Sequence, residues 1–159
     1  MNRATSRDEV KKVYEEVGRI PWVNRMAADR EGHAWYIDAS ATPRLSQAAI
    51  DGGLKARDEN EFIPSAVYAQ AGVVVLDGSN SENEWTDAPG ARSPGLVPYK
   101  ELPQVDRKDF VFNANDSYWL ANPAAPLEGY SPMHGLERVP QSPRTRMNVT
   151  LLTEKGAGT

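Results

Sequence analysis

Amide and carboxyl side chains are concentrated directly behind a short apolar run of the chain. Asn113, Asn115, Asp116 and Ser117 follow the run at 109–112, which has the composition of a strand. Side-chain amides that follow a rigid strand can be aimed at one point in space, and a fixed amide N–H group is what a developing oxyanion needs. We interpret the segment as part of an active-site wall. It contains no nucleophile beside a base, so it would supply only half of a catalytic site.

The same segment also has a purely structural interpretation. Asparagine, aspartate and serine in this order are typical of turns and helix caps, because their side chains bond to nearby backbone groups. Tyr118 and Trp119 follow immediately. Aromatic residues of this kind usually pack in a core, although these two could also line a ligand pocket. From these residues alone, both interpretations of the segment, as an active-site wall and as a structural turn, remain open.

Length and composition limit the possible classes of protein. A chain of 159 residues fits one domain of ordinary size, and no second domain is indicated. Only 40% of the residues are hydrophobic, and 12 glycines and 12 prolines interrupt the chain, so we expect a thin core and long loops. The net charge is −4 and the basic residues are scattered, whereas nucleic-acid binding requires concentrated positive charge. Nucleic acid is therefore not an expected partner.

Cysteine usage and the N-terminus bear on the cellular compartment. The chain has no cysteine, which excludes disulfides and thiolate metal sites but leaves the compartment open. The first nine residues lack the apolar centre of a signal peptide, and no apolar run approaches membrane-spanning length. If the protein is exported, its signal is expected outside this chain.

The N-terminal quarter predicts a helix and a hairpin. Ser6 with Glu9 three residues later forms a capping box, and apolar residues follow at helical spacing until Gly18. The runs at 20–28 and 33–39 are β-type and flank a polar connection that ends in glycine. This pattern predicts a β-hairpin.

The rest of the chain has shorter and less regular signals. Residues 45–54 predict a short helix weakened by two glycines, and the apolar run at 71–76 predicts a strand buried on both faces. Prolines and glycines between 88 and 103 predict an extended surface connection. That connection would deliver the chain to the strand at 109–112 and hence to the asparagine cluster.

Several of these motifs, in this order, resemble the penicillin acylase family. Within that family they resemble most the branch of aculeacin A acylase and acyl-homoserine lactone acylase. The resemblance covers about residues 6–147 and rests on collinear motifs: 20–24, 28–32, 75–79, 113–117, 127–132 and 144–146. Short motifs carry weight when their order and context agree.

The resemblance implies a fold, a reaction and site residues. The family has an αββα four-layer sandwich of the α+β class, and its N-terminal serine attacks an amide carbonyl with its own amino group as base. By resemblance, Asn115 donates to the oxyanion and Arg138 orients the site. Asn113, Tyr118 and Trp119 would line the substrate pocket. The substrates would be acyl amides such as acyl-homoserine lactones, lipopeptides or penicillins.

The family's nucleophilic serine lies upstream of the region that this chain resembles. We therefore expect an internal part of the large catalytic chain, which needs the small chain and the nucleophile-bearing segment as partners. The resemblance also implies a periplasmic or secreted enzyme. No cofactor is expected, although calcium binding would agree with the resemblance to the family. The alternative is a truncated or assembly fragment without activity of its own.

Other candidate sites in the sequence have simpler interpretations. Ser79 follows a glycine, as at a cleavage point, but the Asp-Gly-Ser-Asn string around it suits a tight turn. Ser131 and His134 could join Asp109 or Asp116 in a triad, but we expect a turn and a surface or rim histidine. The two histidines are far apart in the sequence and have no metal-ligand spacing around them, so no metal site is predicted.

Overall fold

The computed structural model describes residues 3–17, 23–59 and 62–154. These residues form four α-helices and one three-stranded sheet: α1 Arg7–Glu16, β1 Asn24–Ala28, β2 Ala34–Asp38, α2 Gln47–Asp58, α3 Phe62–Ala71, β3 Gln104–Arg107 and α4 Pro143–Glu154. Four single turns of 3-10 helix interrupt the long connections: Ser81–Asn83, Tyr99–Glu101, Tyr118–Leu120 and Pro132–His134. Helices beside an antiparallel sheet agree with the predicted α+β class.

The sheet is antiparallel in the order β1-β2-β3, with β2 in the centre. The first two strands form the predicted hairpin, in which Trp35 lies opposite Ala27. Its turn is closed by Asp29, whose carboxylate accepts the backbone N–H groups of Glu31 and His33. Gly32 adopts a positive φ of 79°, a conformation that glycine reaches without steric cost. The part of the predicted first strand before residue 23 lies outside the described residues.

One face of β2 packs against α1 and the chain around residue 100. Trp35 and Ile37 are fully buried there, and the ring centroid of Tyr14 from α1 lies 5.7 Å from that of Trp35. The remaining buried members of this first cluster are Ala39, Val97, Tyr99 and Leu102. The prediction of a surface connection over 88–103 is therefore wrong for its second half. Prolines prevent strand pairing, but they do not prevent side chains from turning inward.

The other face of β2 carries a second buried cluster. Tyr36 is fully buried against Tyr118, Ala121 and Leu127. Because successive side chains of a strand point to opposite faces, Tyr36 lies in the second cluster, whereas Trp35 and Ile37 lie in the first. Strand β2 is thus covered on both sides.

Helix α1 begins as predicted but with a modified cap. The Ser6 hydroxyl accepts the Glu9 N–H at 3.2 Å. The Glu9 carboxylate, however, accepts the N–H of Thr5, at 2.6 Å, one residue earlier than in a standard capping box. The helix ends at Glu16, and the predicted stop at Gly18 lies outside the described residues.

The segment at 71–76 is not the predicted buried strand. Helix α3 runs through Ala71, and Gly72 then ends it with a φ of 65° and an N–H bond to the Tyr68 carbonyl. Val73 is 49% exposed, so this run covers the surface beside α2. A continuous apolar run has no periodicity that distinguishes a buried strand from an irregular segment packed on a helix. The predicted helix at 45–54 is confirmed and is longer, because α2 continues through both glycines to Asp58.

The segment at 109–112 is also not the predicted strand. Strand β3 ends at Arg107, and the Asp109 carboxylate then binds the Arg107 guanidinium and the N–H of Phe110. Because the Phe110 N–H group is bonded to this nearby carboxylate, it is not free to form a hydrogen bond with a neighbouring strand. Phe112 instead donates its N–H to the carbonyl of Ala121, which closes the loop that contains the asparagine cluster.

No described helix has the length and apolar character that a membrane span requires.

The corrected positions of two apolar residues lead to a stability prediction. Leu102→Ala should lower the free energy of unfolding by about 2–5 kcal/mol, because it opens a cavity beside Trp35 and Tyr14. Val73→Ala is the matched control, and it should change that free energy by at most about 0.5 kcal/mol because Val73 is exposed. Urea unfolding of the two variants measures both. Equal losses would contradict the placement of these segments.

Candidate active site

The asparagine cluster forms a tight loop whose backbone is held by its own side chains. The Asn113 side chain accepts the Asn115 N–H at 2.9 Å and donates to the Asp116 carbonyl at 2.9 Å. Asn115 adopts a φ of 64°, in the left-handed region. Asparagine is one of the few residues other than glycine that tolerate this region. The sequence thus folds here into the turn that its composition suggests.

The first turn of α4 fixes the same loop from outside. Thr145 and Ser142 direct their hydroxyls to the Asp116 carboxylate, and the Arg144 guanidinium donates to the Ala114 carbonyl. We call these three residues the α4 clamp. Thr145 is buried, so its bond to a charged acceptor forms away from most of the solvent. Bonds on both sides of Asn115 therefore restrict the loop.

The side chain of Asn115 itself is exposed and makes no hydrogen bond to the described residues. Its amide N–H groups are available to a ligand, while its backbone is held by Asn113. A donor that is fixed before the ligand arrives costs little reorganisation during a reaction. The loop therefore has the geometry of a preorganised hydrogen-bond donor.

Of the two aromatic residues that follow the loop, Tyr118 is a buried member of the second cluster and Trp119 packs against its edge. Tyr118 is 1% exposed, and its hydroxyl donates to the Glu137 carboxylate. Burial, strengthened by this carboxylate, raises the pKa of Tyr118 above its ordinary value. Trp119 is half-buried and packs against the same cluster. The structure therefore brings Asn113 and Asn115 together but does not bring Tyr118 to the exposed side of the loop.

Arg138 lies elsewhere. Its guanidinium forms a two-point ion pair with Glu128, at 2.9 and 2.6 Å, and its side chain is 76% exposed. The arginine that contacts the loop is Arg144. The sequence pointed to Arg144 only as part of the motif at 144–146, because nothing in that motif shows which backbone its side chain reaches.

A family model described as penicillin amidase matches residues 1–159. The chain belongs to the penicillin amidase family. This confirms the resemblance that the collinear motifs indicated.

Named relatives agree with this assignment. Over 159 residues, all of this chain, it is 41% identical to aculeacin-A acylase from Actinoplanes utahensis, of which it covers 20%. It is 39% identical over 155 residues, 98% of this chain, to the acyl-homoserine lactone acylase PvdQ from Pseudomonas putida, of which it covers 19%. The PvdQ of Pseudomonas fluorescens Pf-5 is 36% identical over 153 residues, 96% of this chain and 18% of that enzyme. The chain thus spans about a fifth of these relatives.

The triad considered from the sequence does not form in this member of the penicillin amidase family. Ser131 caps the 3-10 helix by accepting the Met133 N–H, and Asp109 and Asp116 are bound to other partners. His134 is not a surface or rim residue as predicted, since its side chain is 1% exposed. Its Nδ1 atom lies 3.1 Å from the Thr42 hydroxyl and 3.8 Å from the Asp38 carboxylate. Contacts from distant segments bury it, which the local sequence could not indicate.

Asp38 is a buried carboxylate at the end of β2. Burial alone would raise its pKa, but the neighbouring His134 ring and hydrogen bonds from Ser40 more than offset this and lower the pKa below its ordinary value. A buried carboxylate with such partners stabilises the folded state in its charged form.

The hairpin turn brings three potential metal ligands together. Ligand atoms of Asp29, Glu31 and His33 all lie within 4.8 Å of one another, so the sequence-based statement that no ligand spacing surrounds the histidines is wrong for His33. The turn creates this spacing. The Asp29 carboxylate is already engaged by two backbone N–H groups and the His33 ring. We assign no metal to it.

Ser79 lies in the turn that its neighbours predict. The Asp77 carboxylate accepts both the N–H and the hydroxyl of Ser79, at 2.9 and 2.7 Å. These two hydrogen bonds hold the pKa of Asp77 below its ordinary value, and the bond from the Ser79 hydroxyl has the larger effect.

The α4 clamp leads to a prediction about local opening. Thr145→Val removes a hydrogen bond to the Asp116 carboxylate, so hydrogen exchange of the Asn115 N–H should become about tenfold faster. Thr150→Val, an exposed position on the same helix, is the control and should leave that rate unchanged. Hydrogen exchange followed by NMR distinguishes them. An unchanged Asn115 rate in the Thr145 variant would show that the clamp does not restrict the loop.

The lowered pKa of Asp38 gives a pH-dependent stability prediction. Its charged form stabilises the fold above its unfolded pKa of about 3.9, and this contribution disappears as the pH falls through the lower folded pKa. Asp38→Asn should therefore destabilise the protein at pH 7, and the penalty should shrink in acid. Urea unfolding between pH 7 and pH 2 measures it, with the exposed Asp51→Asn as control. A penalty independent of pH would contradict the assignment.

Proposed function

We propose that this chain forms part of an acylase that hydrolyses the amide bond between an acyl group and an amine, and that Asn115 is its oxyanion donor. The observation that carries the proposal is the exposed, unbonded amide of Asn115 on a backbone fixed by Asn113 and the α4 clamp. Membership of the penicillin amidase family supports the reaction class.

The proposed reaction begins when a serine hydroxyl attacks the amide carbonyl carbon. The carbonyl oxygen becomes negatively charged, and the Asn115 side-chain N–H donates a hydrogen bond to it. Collapse of this intermediate breaks the C–N bond, the amine leaves with a proton, and water then releases the acid from the serine ester. The serine is proposed to be the N-terminal residue of the large chain, in a segment outside these 159 residues. The small chain completes the enzyme.

The substrates are proposed from the relatives. Two relatives are named aculeacin-A acylase and acyl-homoserine lactone acylase, and the family model is described as penicillin amidase. We propose acyl amides as the substrate class, with an acyl-homoserine lactone, a lipopeptide or a penicillin as candidates. Asn113 has both side-chain atoms committed to the loop, which favours a supporting role for it over direct contact with substrate. Of the two predicted pocket aromatics, Trp119 is half-buried and Tyr118 is fully buried, so only Trp119 has exposed surface that a substrate could contact.

Two arginines have different proposed roles. Arg144 positions the loop through the Ala114 carbonyl, next to the oxyanion donor. The orienting role predicted for Arg138 would require it to leave Glu128, because its two-point ion pair occupies the guanidinium in this structure.

The proposed architecture is the αββα sandwich of N-terminal nucleophile hydrolases, in which β1, β2 and β3 form part of one sheet. Strands β1 and β3 are the outer strands of the described sheet, so each has one side on which further strands of the enzyme could pair. Family resemblance supports a periplasmic or secreted location for the enzyme.

Replacement of the proposed donor tests the function. In the complete acylase that contains this segment, Asn115→Ala should lower kcat roughly 100- to 1,000-fold and leave KM nearly unchanged, because the hydrogen bond strengthens only in the transition state. Steady-state release of the free acid from an acyl-homoserine lactone measures both constants. Asn148→Ala, on α4, is the matched control.

Two outcomes would contradict the proposal. An unchanged kcat in the Asn115 variant would remove the oxyanion role. Release of acid by the 159-residue chain alone would contradict a nucleophile that lies outside it. If the completed enzyme released no acid from any acyl amide, the alternative of a non-catalytic assembly fragment would be favoured.

A further inference from the structure

Asn122 is a fully buried amide side chain at the base of the asparagine loop. Its Nδ2 atom donates to the Phe110 carbonyl at 2.7 Å and to the Asp109 carboxylate at 3.2 Å. Its Oδ1 atom accepts the Ala124 N–H at 2.8 Å. The donor and the acceptor of this amide are therefore both engaged, as a buried polar group requires.

These bonds join the two ends of the loop. The loop at 113–120 emerges between the segments 110–112 and 121–124, which we call the neck. Phe112 donates its N–H to the Ala121 carbonyl at 2.9 Å, and the bond from Asn122 to the Phe110 carbonyl follows directly behind it. Neither segment is a strand. A side-chain amide thus replaces the backbone donor that a strand ladder would supply at this position.

The neck is connected to the sheet through Asp109. The Arg107 guanidinium, at the end of β3, donates to the Asp109 carboxylate at 2.8 and 2.6 Å. These bonds hold the pKa of Asp109 well below its usual range, so the acceptor of Asn122 is charged at neutral pH. Hydrogen bonds to a charged acceptor are stronger than those between neutral groups. A continuous series of hydrogen bonds therefore runs from β3 to the end of the loop.

The other restraints on Asn115 act differently. The bonds of Asn113 lie within the loop, and the α4 clamp joins the loop to α4. Tyr118 packs on Tyr36 of β2, but apolar packing is not directional. The hydrogen bonds of Asn122 are directional, and they join the loop to β3. They are thus suited to set where the loop stands on the sheet.

We propose that Asn122 is a positioning residue for the oxyanion donor, because its side chain holds the neck in the geometry that places the Asn115 amide. This inference rests on the function proposed above, since Asn122 acts only through Asn115. Displacement of a reacting group by about 1 Å can lower a rate about 100-fold. A loosened neck should therefore affect the transition state more than the binding of substrate.

Replacement of Asn122 tests the role. In the complete acylase that contains this segment, Asn122→Ala should lower kcat about 10- to 100-fold and leave KM nearly unchanged. Asn83→Ala is the matched control, because the Asn83 side chain also donates to a backbone carbonyl, that of Asp77, at 2.9 Å. It should leave kcat unchanged. Steady-state release of the free acid from an acyl-homoserine lactone measures both constants, and thermal unfolding verifies that each variant is folded. An unchanged kcat in the Asn122 variant would overturn the proposal.

A double-mutant cycle separates positioning from a general loss of structure. Asn115→Ala removes the donor, so the addition of Asn122→Ala to it should lower kcat by less than about twofold more. If Asn122 supported only the fold, its loss would lower kcat by the same factor in both backgrounds, and the positioning role would be overturned. If Asn122→Ala does not fold, Asn122→Ser, which keeps a hydroxyl, enters the same cycle with the same expectation.

The cycle also distinguishes this inference from the function on which it rests. An unchanged kcat in Asn115→Ala alone would contradict the oxyanion role and with it the role of Asn122. A lowered kcat in Asn115→Ala, with a further full loss on addition of the Asn122 change, would contradict only the positioning role.

Discussion

Burial of strand β2 on both faces is the constraint on which the other parts of this structure depend. Trp35, Tyr36 and Ile37 are fully buried, so the chain must cover both sides of the three-stranded sheet that the described residues form. Helix α1 and the turn around Tyr99 cover one side, and the segment from Tyr118 to Leu127 covers the other. Large aromatic side chains provide much of the buried apolar surface, which offsets the low hydrophobic content of the chain.

This double burial also determines where the candidate site lies. Tyr118 packs on Tyr36 immediately after the asparagine loop, so the loop leaves the core at a fixed point. The Tyr118 hydroxyl of the second cluster is bonded to the Glu137 carboxylate. The α4 clamp then holds the loop from the solvent side. The exposed amide of Asn115 is therefore supported from the core and from the surface.

Local signals predicted local structure well. The cap at Ser6, the hairpin turn and the helix over α2 were readable because their causes lie within a few residues. The predictions of strands at 71–76 and 109–112 were wrong, because a strand forms only beside a partner strand, and no local pattern specifies that partner. The same limit applies to the site. Composition pointed to the asparagines of the candidate site, whereas the contact of Arg144 with Ala114 depends on how α4 packs.

The identity of residue 115 combines two physical requirements. Its backbone lies in the left-handed region, where residues other than glycine, asparagine and aspartate pay a steric cost of about 1–2 kcal/mol. Glycine would satisfy the backbone but would remove the amide that a ligand oxygen can use. Aspartate would tolerate the same conformation, yet its carboxylate would repel a developing oxyanion. Asparagine alone among these three combines the turn with a neutral N–H donor, which is the combination that the proposed oxyanion role requires.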